Sequence, residues 1–336
     1  MKARLRRWAP SMGGVLVAAL TLLMAGWDRS APPLEETGFL LDAYVRVVAV
    51  DGDRPSGVRA ALASLGAVER LLNRYDPLSD PARISRAAGE WVPVEPLTLR
   101  ALLLARSWEA RTGGAFDAAL GGVIDLYRFG DGGQVPSPAE LAGALALSGA
   151  VAWELDEAGS RARVARAGTV LDLGGLHKGL AVDQAAAALR AHGVTRGLVD
   201  AGGNMLALGL RADGSPWRIG IQHPRRPDRV LAVIPLSDQA IATSGDYQQF
   251  FEQGGKRYHH VLDPRTGEPA SGVLSVTVLA PTAVEADLLS TALFVLGPER
   301  GMELVSRSPG VEALWVTGAL ELVATPGLRD RLEVRE

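Results

Sequence analysis

No cysteine occurs among the 336 residues of this chain, and this absence limits both its fold and its chemistry. A chain without cysteine has no disulfide framework, no cysteine nucleophile, no iron–sulfur cluster and no thiolate zinc site. A buried apolar core must therefore stabilise the folded state. With 47% hydrophobic residues, the chain can form such a core and lacks the composition of a disordered protein. The formal net charge of −3 argues against a nucleic-acid partner, because nucleic-acid-binding domains are usually basic.

The first residues have the layout of an export segment. Basic residues at positions 2–7 precede an uncharged run over 9–27, and this order is typical of a secretory signal. We interpret residues 1–27 as a signal peptide or N-terminal membrane anchor, 28–36 as a linker and 37–336 as the folded domain. We expect an exported protein, periplasmic or on the periplasmic face of the inner membrane, which its N-terminus could hold at the membrane.

Hydrophobic periodicity after residue 37 predicts helices and strands without the regular alternation of a parallel α/β fold. The predicted helices cover residues 58–72, 97–112, 138–147, 176–192, 283–296 and 298–307. The predicted strands cover residues 40–50, 151–155, 161–164, 170–173, 197–200, 205–210, 217–222, 230–236, 241–243, 256–262, 273–280, 311–316 and 319–324. This pattern indicates an α+β fold, a single domain of mostly antiparallel sheets with flanking helices.

Several common catalytic motifs are absent from the sequence. It contains no G-x-x-x-x-G-K-[ST] phosphate loop and no G-x-G-x-x-G dinucleotide fingerprint. It also lacks H-E-x-x-H and G-x-S-x-G. The common nucleotide-binding folds and hydrolases are therefore disfavoured.

A Gly-Gly turn at the start of a predicted helix is a candidate anion site. Residues 172–179 read DLGGLHKG, a strand end, a turn and a helix start. Backbone N–H groups at a helix N-terminus can hold an anion, and Lys178 adds a positive charge. Only Lys2, Lys178 and Lys256 are lysines among 35 basic residues, which draws attention to Lys178. A tight turn that merely needs glycine is the alternative interpretation.

Histidines, carboxylates and small hydroxyl residues cluster between residues 241 and 272. Asp246 lies in IATSGDY, while His260 and Asp263 lie in HHVLDPRTG. Histidine beside carboxylates can perform general acid–base catalysis. A hairpin with a Pro-Arg-Thr-Gly turn explains the same residues about equally well.

A predicted helix near the C-terminus carries polar residues on an otherwise apolar surface. Asp287 and Thr291 are four residues apart and share one face. A carboxylate and a hydroxyl are hard oxygen ligands, which suit Mg²⁺ or Ca²⁺. Taken alone, the pair is better explained by an N-cap pattern and a threonine bonded back to the helix.

In their order and spacing, these segments resemble the ApbE family of FAD:protein FMN transferases. The resemblance covers residues 71–316 and is carried by eight stretches. They are LNRYDPLSDPARIS (72–85), FDAALGGVIDLYRFG (116–130), DLGGLHKGLAVD (172–183), LVDAGGN (198–204), WRIGIQHP (217–224), IATSGDY (241–247), HHVLDPRTG (259–267) and ADLLSTALFVLG (286–297).

The resemblance implies one α+β domain with a cleft for FAD and Mg²⁺. The implied reaction is a Mg²⁺-dependent transfer of FMN from FAD to a Thr or Ser hydroxyl, with release of AMP. The implied acceptor is an exported flavoprotein, for example a subunit of a membrane redox complex. The alternatives are a Mg²⁺-dependent FAD pyrophosphatase and a non-catalytic exported flavin-binding protein.

The resemblance also implies roles for particular residues. His260 would be the catalytic base, oriented by Asp246 or Asp263. The implied metal ligands are the backbone carbonyl of His177 and the side chains of Asp287, Ser290 and Thr291. The implied cofactor-binding residues are Tyr75, Phe116, Asp117, Ala118, Gly174, Lys178, Leu180, Asp183 and Val261.

Two positions depart from the family pattern. Residues 41–43 read Leu-Asp-Ala where the family usually has Met-Gly-Thr, and the methionine packs on the flavin. Leu180 stands where tyrosine is common. A looser hold on the flavin ring is the expected consequence.

Overall fold

The computed structural model describes residues 32–335, within which it has sixteen β-strands and eight α-helices. The strands are β1 (Leu34–Leu40), β2 (Ala43–Ala49), β3 (Val92–Pro93), β4 (Trp153–Asp156), β5 (Arg161–Val164), β6 (Gly197–Ala201), β7 (Asn204–Leu208), β8 (Trp217–His223), β9 (Arg226–Leu236), β10 (Gln239–Gly245), β11 (Phe250–Gln253), β12 (Lys256–His259), β13 (Val273–Ala280), β14 (Glu312–Thr317), β15 (Leu322–Ala324) and β16 (Glu333–Val334). The helices are α1 (Arg54–Leu72), α2 (Asp80–Arg86), α3 (Pro96–Arg111), α4 (Gly121–Tyr127), α5 (Pro138–Leu145), α6 (Gly174–Ala191), α7 (Ala283–Ser306) and α8 (Pro326–Arg329). Among residues 32–335, no helix has the length and apolar character needed to cross a membrane.

The main sheet has eight strands in the order β1-β2-β6-β7-β10-β13-β14-β15. Every neighbouring pair in it is antiparallel. Two three-stranded sheets, β16-β9-β8 and β3-β5-β4, and the separate hairpin β11-β12 complete the β-structure of the described residues. The predicted α+β class with mostly antiparallel sheets is therefore confirmed.

Side chains alternate between the two faces of the main sheet, and a different layer covers each face. Val45 and Val47 of β2 belong to a core with the buried faces of α1, α6 and α7. Val48, the residue after Val47, belongs to a second core with the strands β8 and β9. This period of two is expected for a sheet buried on both faces. The helical layer carries the candidate site.

The N-terminal boundary of the folded part differs from the prediction. β1 begins at Leu34, which pairs with Ala49 of β2. Regular secondary structure therefore begins before residue 37. From Leu34 onward the chain forms one compact unit. The export segment predicted for residues 1–27 lies outside the described residues.

One predicted strand takes a different form in the structure. The predicted strand 170–173 is not a strand, and only an isolated bridge joins Val170 to Leu120. The predicted helices 283–296 and 298–307 form the two parts of α7 and are divided at Gly297. Gly297 is not helical and has a φ of 71°, a left-handed value that glycine adopts readily.

The predicted strand 40–50 is a hairpin whose turn consists of Leu41 and Asp42. Both residues have positive φ values, 58° and 53°, as in a two-residue type I′ turn. Leu41 is buried, and its backbone N–H donates to Glu69 Oε1 at 3.0 Å. Asp42 is exposed. Because a side chain is disfavoured in this backbone region, Asp42 carries local strain.

We expect Asp42→Gly to stabilise the protein by roughly 0.5–1 kcal/mol, because glycine adopts a positive φ without a steric penalty. Urea unfolding followed by circular dichroism measures this change. The matched control is Asp228→Gly at an exposed position within β9, where glycine should destabilise the protein instead. Destabilisation by both substitutions would contradict the assignment of strain to Asp42.

Candidate functional site

Helices α6 and α7 approach each other closely at Gly179. A Cβ atom on Gly179 would lie 2.2 Å from the carbonyl oxygen of Ala283 and 2.7 Å from Cβ of Asp287. No residue other than glycine fits there without moving a helix. The close approach allows the backbone N–H of Gly179 to donate to Asp287 Oδ2 at 2.8 Å.

Asp287 is a buried carboxylate held by neutral donors. It is 5% exposed, and its Oδ1 accepts from Asn204 Nδ2 at 3.2 Å. Burial raises the pKa of Asp287, and the nearby charge of Lys178 acts against that rise. Within residues 32–335, no cation forms an ion pair with Asp287. A carboxylate in this state is a suitable ligand for a metal ion.

The two hydroxyls that follow Asp287 on α7 differ in availability. Ser290 is fully buried; its Oγ donates to the backbone oxygen of Asp287 and lies 2.8 Å from Ser244 Oγ. The prediction of Ser290 as a metal ligand is therefore not supported, because its hydroxyl is committed to protein partners. The Thr291 hydroxyl is half-buried and makes no hydrogen bond within the described part of the chain. It lies 3.5 Å from the position that a Cβ on Gly175 would occupy.

These contacts argue against the alternative explanation of the Asp287–Thr291 pair. Thr282, not Asp287, caps α7, because its side chain accepts from the backbone N–H of Glu285. Thr291 does not bond back to the helix. The capping and back-bonding roles of the alternative explanation are therefore not the ones that this pair has.

The oxygen donors at this point fit a magnesium ion. No group of three or more His, Asp or Glu side chains suited to a metal occurs in residues 32–335. The donors are instead one carboxylate, one hydroxyl and the backbone near His177, and hard oxygen donors of this kind suit Mg²⁺. The His177 imidazole itself points back along α6, with Nδ1 3.1 Å from the Gly174 carbonyl oxygen. The His177 carbonyl remains a prediction.

The charge of Lys178 acts on both the carboxylate and the candidate base. Its ammonium makes no hydrogen bond or ion pair within the described residues. Its charge opposes the rise in the pKa of Asp287 and contributes to the low pKa of His260. The ammonium is therefore available to an anionic ligand.

His260 directly follows β12 and is half-buried. Its backbone N–H donates to the Gln249 carbonyl at 3.1 Å, and its Nδ1 lies 3.4 Å from the same oxygen. Burial, together with the charge of Lys178, lowers the pKa of His260 to about 4. The imidazole is therefore neutral at pH 7 and can accept a proton.

Neither predicted carboxylate orients His260. Both oxygens of Asp246 accept from Arg225, at 2.7 and 2.6 Å. Asp263 is likewise engaged by Arg265. Among the described residues no hydrogen bond joins Asp246 to His260, and Asp246 instead forms a bidentate pair with Arg225, so this geometry does not support the predicted action of Asp246 on His260.

Asp183 has a structural role that the resemblance did not indicate. Its two oxygens accept from the backbone N–H groups of Ala283 and Val284, at 2.8 and 3.0 Å. These amides open α7, so Asp183 caps that helix from the side of α6. The prediction that Asp183 binds the cofactor is corrected accordingly.

Three further residues predicted to contact the cofactor have buried side chains. Leu180 and Ala118 are 0% exposed, and Val261 is 3% exposed. All three belong to the main core, so their side chains have no surface for a ligand. These three side chains therefore contribute to the core and not to a surface that a ligand could contact.

The segment from Phe116 to Ala118 packs against the start of α6. The Phe116 ring lies 3.0 Å from the position that a Cβ on Gly175 would occupy. Asp117 accepts from the backbone N–H groups of Ala119 and Gly149, at 2.7 and 2.9 Å, and burial raises its pKa. The segment is therefore fixed beside Gly175, with the Asp117 oxygens engaged by the protein.

A pocket of about 70 Å³ opens beside His177 and Gly174 at the start of α6. Tyr75 forms part of its wall with a ring that is 71% exposed. The turn residues Leu41 and Asp42 form another part, at the position where the family pattern is broken. The structure thus brings predicted residues from three distant segments to one cleft.

Some residues of the site were not predicted individually. They are Arg74, Asn204, Arg225 and Ser244. Arg74, Asn204 and Ser244 lie in stretches that carried the resemblance, and Arg225 directly follows one, so the resemblance was the only available signal. Their roles depend on partners in other elements, which spacing along one segment does not reveal.

The chain matches the family model described as the ApbE family over residues 41–315. It is 37% identical over 309 residues to the FAD:protein FMN transferase of Treponema pallidum, with 85% of each chain covered. It is 34% identical over 303 residues to one from Klebsiella pneumoniae, covering 84% of this chain and 86% of the relative.

Two solved structures have the same fold. The ApbE protein of Thermotoga maritima superposes with a TM-score of 0.83 at 32% identity, covering 91% of this chain and all of the other (100%). The apo flavinyl transferase ApbE of Pseudomonas stutzeri gives a TM-score of 0.78 at 33% identity, covering 89% and 96%. The match of family model, relatives and fold over most of the chain shows that this protein belongs to the ApbE family.

Proposed function

We propose that this protein is a FAD:protein FMN transferase. In a Mg²⁺-dependent reaction it would transfer FMN from FAD to a Thr or Ser hydroxyl of an exported flavoprotein. The names of its relatives support the transferase activity. The observation that carries the proposal is the contact of α6 with Asp287 through the Gly179 N–H, beside Lys178, whose charge influences the pKa of both Asp287 and His260.

The proposed reaction is a displacement at phosphorus. The oxygen of the acceptor hydroxyl forms a bond to the phosphorus of the FMN half of FAD, and the bond from that phosphorus to the AMP oxygen breaks. The hydroxyl proton passes to His260. Because Nδ1 of His260 faces the Gln249 carbonyl, Nε2 is the atom that accepts the proton. AMP leaves with the electron pair of the broken bond.

The residues of α6 and α7 would help to neutralise the negative charge of the pyrophosphate. Asp287, Thr291 and the His177 carbonyl would hold Mg²⁺, which when bound would neutralise the phosphate oxygens and make AMP a better leaving group. Lys178 would contribute a second positive charge at the same phosphates. Its unpaired ammonium supports this role.

The proposal also covers where the enzyme works and which kind of protein accepts the FMN. The basic and then apolar start of the chain supports export, with the enzyme periplasmic or on the periplasmic face of the inner membrane. An exported acceptor flavoprotein, such as a subunit of a membrane redox complex, would then share its compartment.

One assay distinguishes the transferase from the alternatives. The protein is incubated with FAD, Mg²⁺ and an acceptor flavoprotein domain, and the products are separated on a denaturing gel and by chromatography. We expect a fluorescent acceptor band with one AMP released per flavin bound. Free FMN and AMP without a labelled band would indicate a pyrophosphatase, and bound, intact FAD would indicate a flavin-binding protein.

We expect Asp287→Asn to lower the transfer rate by at least about 100-fold, because the variant keeps its shape but loses the charge that would hold the metal. The rate is measured as labelled acceptor against Mg²⁺ concentration. Asp213→Asn, at an exposed aspartate, serves as the control and should behave as wild type. A wild-type Mg²⁺ response in Asp287→Asn would exclude the metal-site assignment.

The depressed pKa of His260 predicts an unusual pH profile. A general base is active when deprotonated, so activity is lost as the pH falls through its pKa. With this pKa at about 4, kcat/KM for the acceptor should stay level down to about pH 5. A profile that falls near pH 6.5, the ordinary value for histidine, would contradict the assignment.

His260→Ala should abolish most transfer while FAD affinity is retained, because the imidazole would act on the acceptor hydroxyl and not on FAD binding. FAD affinity is measured by flavin fluorescence titration. His192→Ala, at the C-terminal end of α6, is the matched control. A wild-type transfer rate in His260→Ala would rule out the base role.

A further inference from the structure

A buried arginine, Arg74, lies on the wall of the pocket beside Tyr75. It follows the C-terminus of α1, and its side chain is only 7% exposed. A guanidinium group is costly to bury unless its charge and its donors are satisfied. The partners of Arg74 therefore show what the residue does.

The guanidinium contacts two carboxylates from different parts of the chain. Nη2 and Nη1 donate to the two oxygens of Asp125 in α4, at 2.7 and 3.1 Å. Nε lies 2.7 Å from Asp172 Oδ2. Burial acts against the charge, but the two carboxylates more than offset it and raise the pKa of Arg74.

Arg74 also holds the exposed aromatic ring of the pocket. Nη2 donates to Tyr75 Oη at 2.7 Å, and the guanidinium carbon lies 4.3 Å from the centre of the Tyr75 ring. A guanidinium stacked on an aromatic face is stabilised by a cation–π interaction. These contacts restrict the orientation of a ring that is otherwise mostly solvent-exposed.

Asp172 extends this network to the start of α6, the candidate site for the phosphates of FAD. While Oδ2 faces Arg74, Oδ1 accepts from the backbone N–H of Gly174 at 2.6 Å. Gly174 opens α6, the helix whose first turns carry His177 and Lys178. One guanidinium therefore connects the aromatic wall of the pocket to the helix start.

We propose that Arg74 is a positioning residue for FAD, on the basis that FAD is the substrate as proposed above. Arg74 fixes the Tyr75 ring relative to the start of α6. The pocket beside Tyr75 and the start of α6 can then bind two parts of the same FAD molecule. Nη1 and Nη2 donate to Asp125 and Tyr75, while the buried Nε forms an ion pair with Asp172 without a hydrogen bond. Arg74 therefore acts through these residues and not by contacting FAD.

The test uses Arg74→Lys, which keeps the charge but removes the planar fork that serves three partners. FAD affinity is measured by flavin fluorescence titration, and the transfer kinetics by acceptor labelling. We expect Kd and KM for FAD to rise about tenfold, while kcat falls less than about threefold, because the reacting groups are untouched. The control is Arg218→Lys, another bidentate pair, with Glu333, outside the site.

A second variant tests the contact between Arg74 and Asp125. It keeps the inference testable if Arg74→Lys fails to fold. Asp125→Asn changes a half-exposed carboxylate and should raise the Kd for FAD about threefold with unchanged melting temperature. Wild-type FAD affinity in both variants, or a loss of kcat without a change in KM, would overturn the inference while leaving the proposed function intact. A wild-type protein that binds no FAD would overturn both.

Discussion

The candidate site depends on the missing side chain at Gly179, where helices α6 and α7 come into contact. With the Ala283 carbonyl oxygen only 2.2 Å from a Cβ position on Gly179, the two helices leave no room for a side chain there. Each helix then supplies a carboxylate to the backbone of the other. Asp287 of α7 accepts from Gly179, and Asp183 of α6 accepts from the first amides of α7. This reciprocal pair fixes the relative position of the two helices at two points.

The same arrangement leaves opposite charges close together but unpaired. Asp287 is bonded only to neutral donors, and Lys178 has no bonded partner within residues 32–335. A direct ion pair between Asp287 and Lys178 would satisfy both charges and leave neither group available to a ligand. Because the two charges remain separate, each can act on a different part of a ligand that carries phosphate and a metal ion. The neutral imidazole of His260 adds a proton acceptor without adding charge.

The sequence predicted the fold class and the segments of the site better than it predicted the roles of individual residues. Period-two and period-3.6 patterns locate strands and helices, and the Gly-Gly turn and the Asp287–Thr291 spacing are local features. Asp183, Asp246 and Ser290 were assigned functional roles by position, yet each is engaged by a protein partner. These partners lie on other elements, and one segment of sequence does not show which atoms meet across an interface.

The main sheet also has a consequence for the order of folding. Val45 of β2 lies opposite Ala201 of β6, so the N-terminal hairpin pairs with a strand far along the chain. The pairs β6–β7 and β13–β14, in contrast, join strands that are consecutive along the chain and much nearer in sequence. Distant pairings form late, because the entropy of closing a long loop must be overcome first. Because β6 is synthesised long after β1 and β2, this hairpin can join the main sheet only when residues 197–201 have been made.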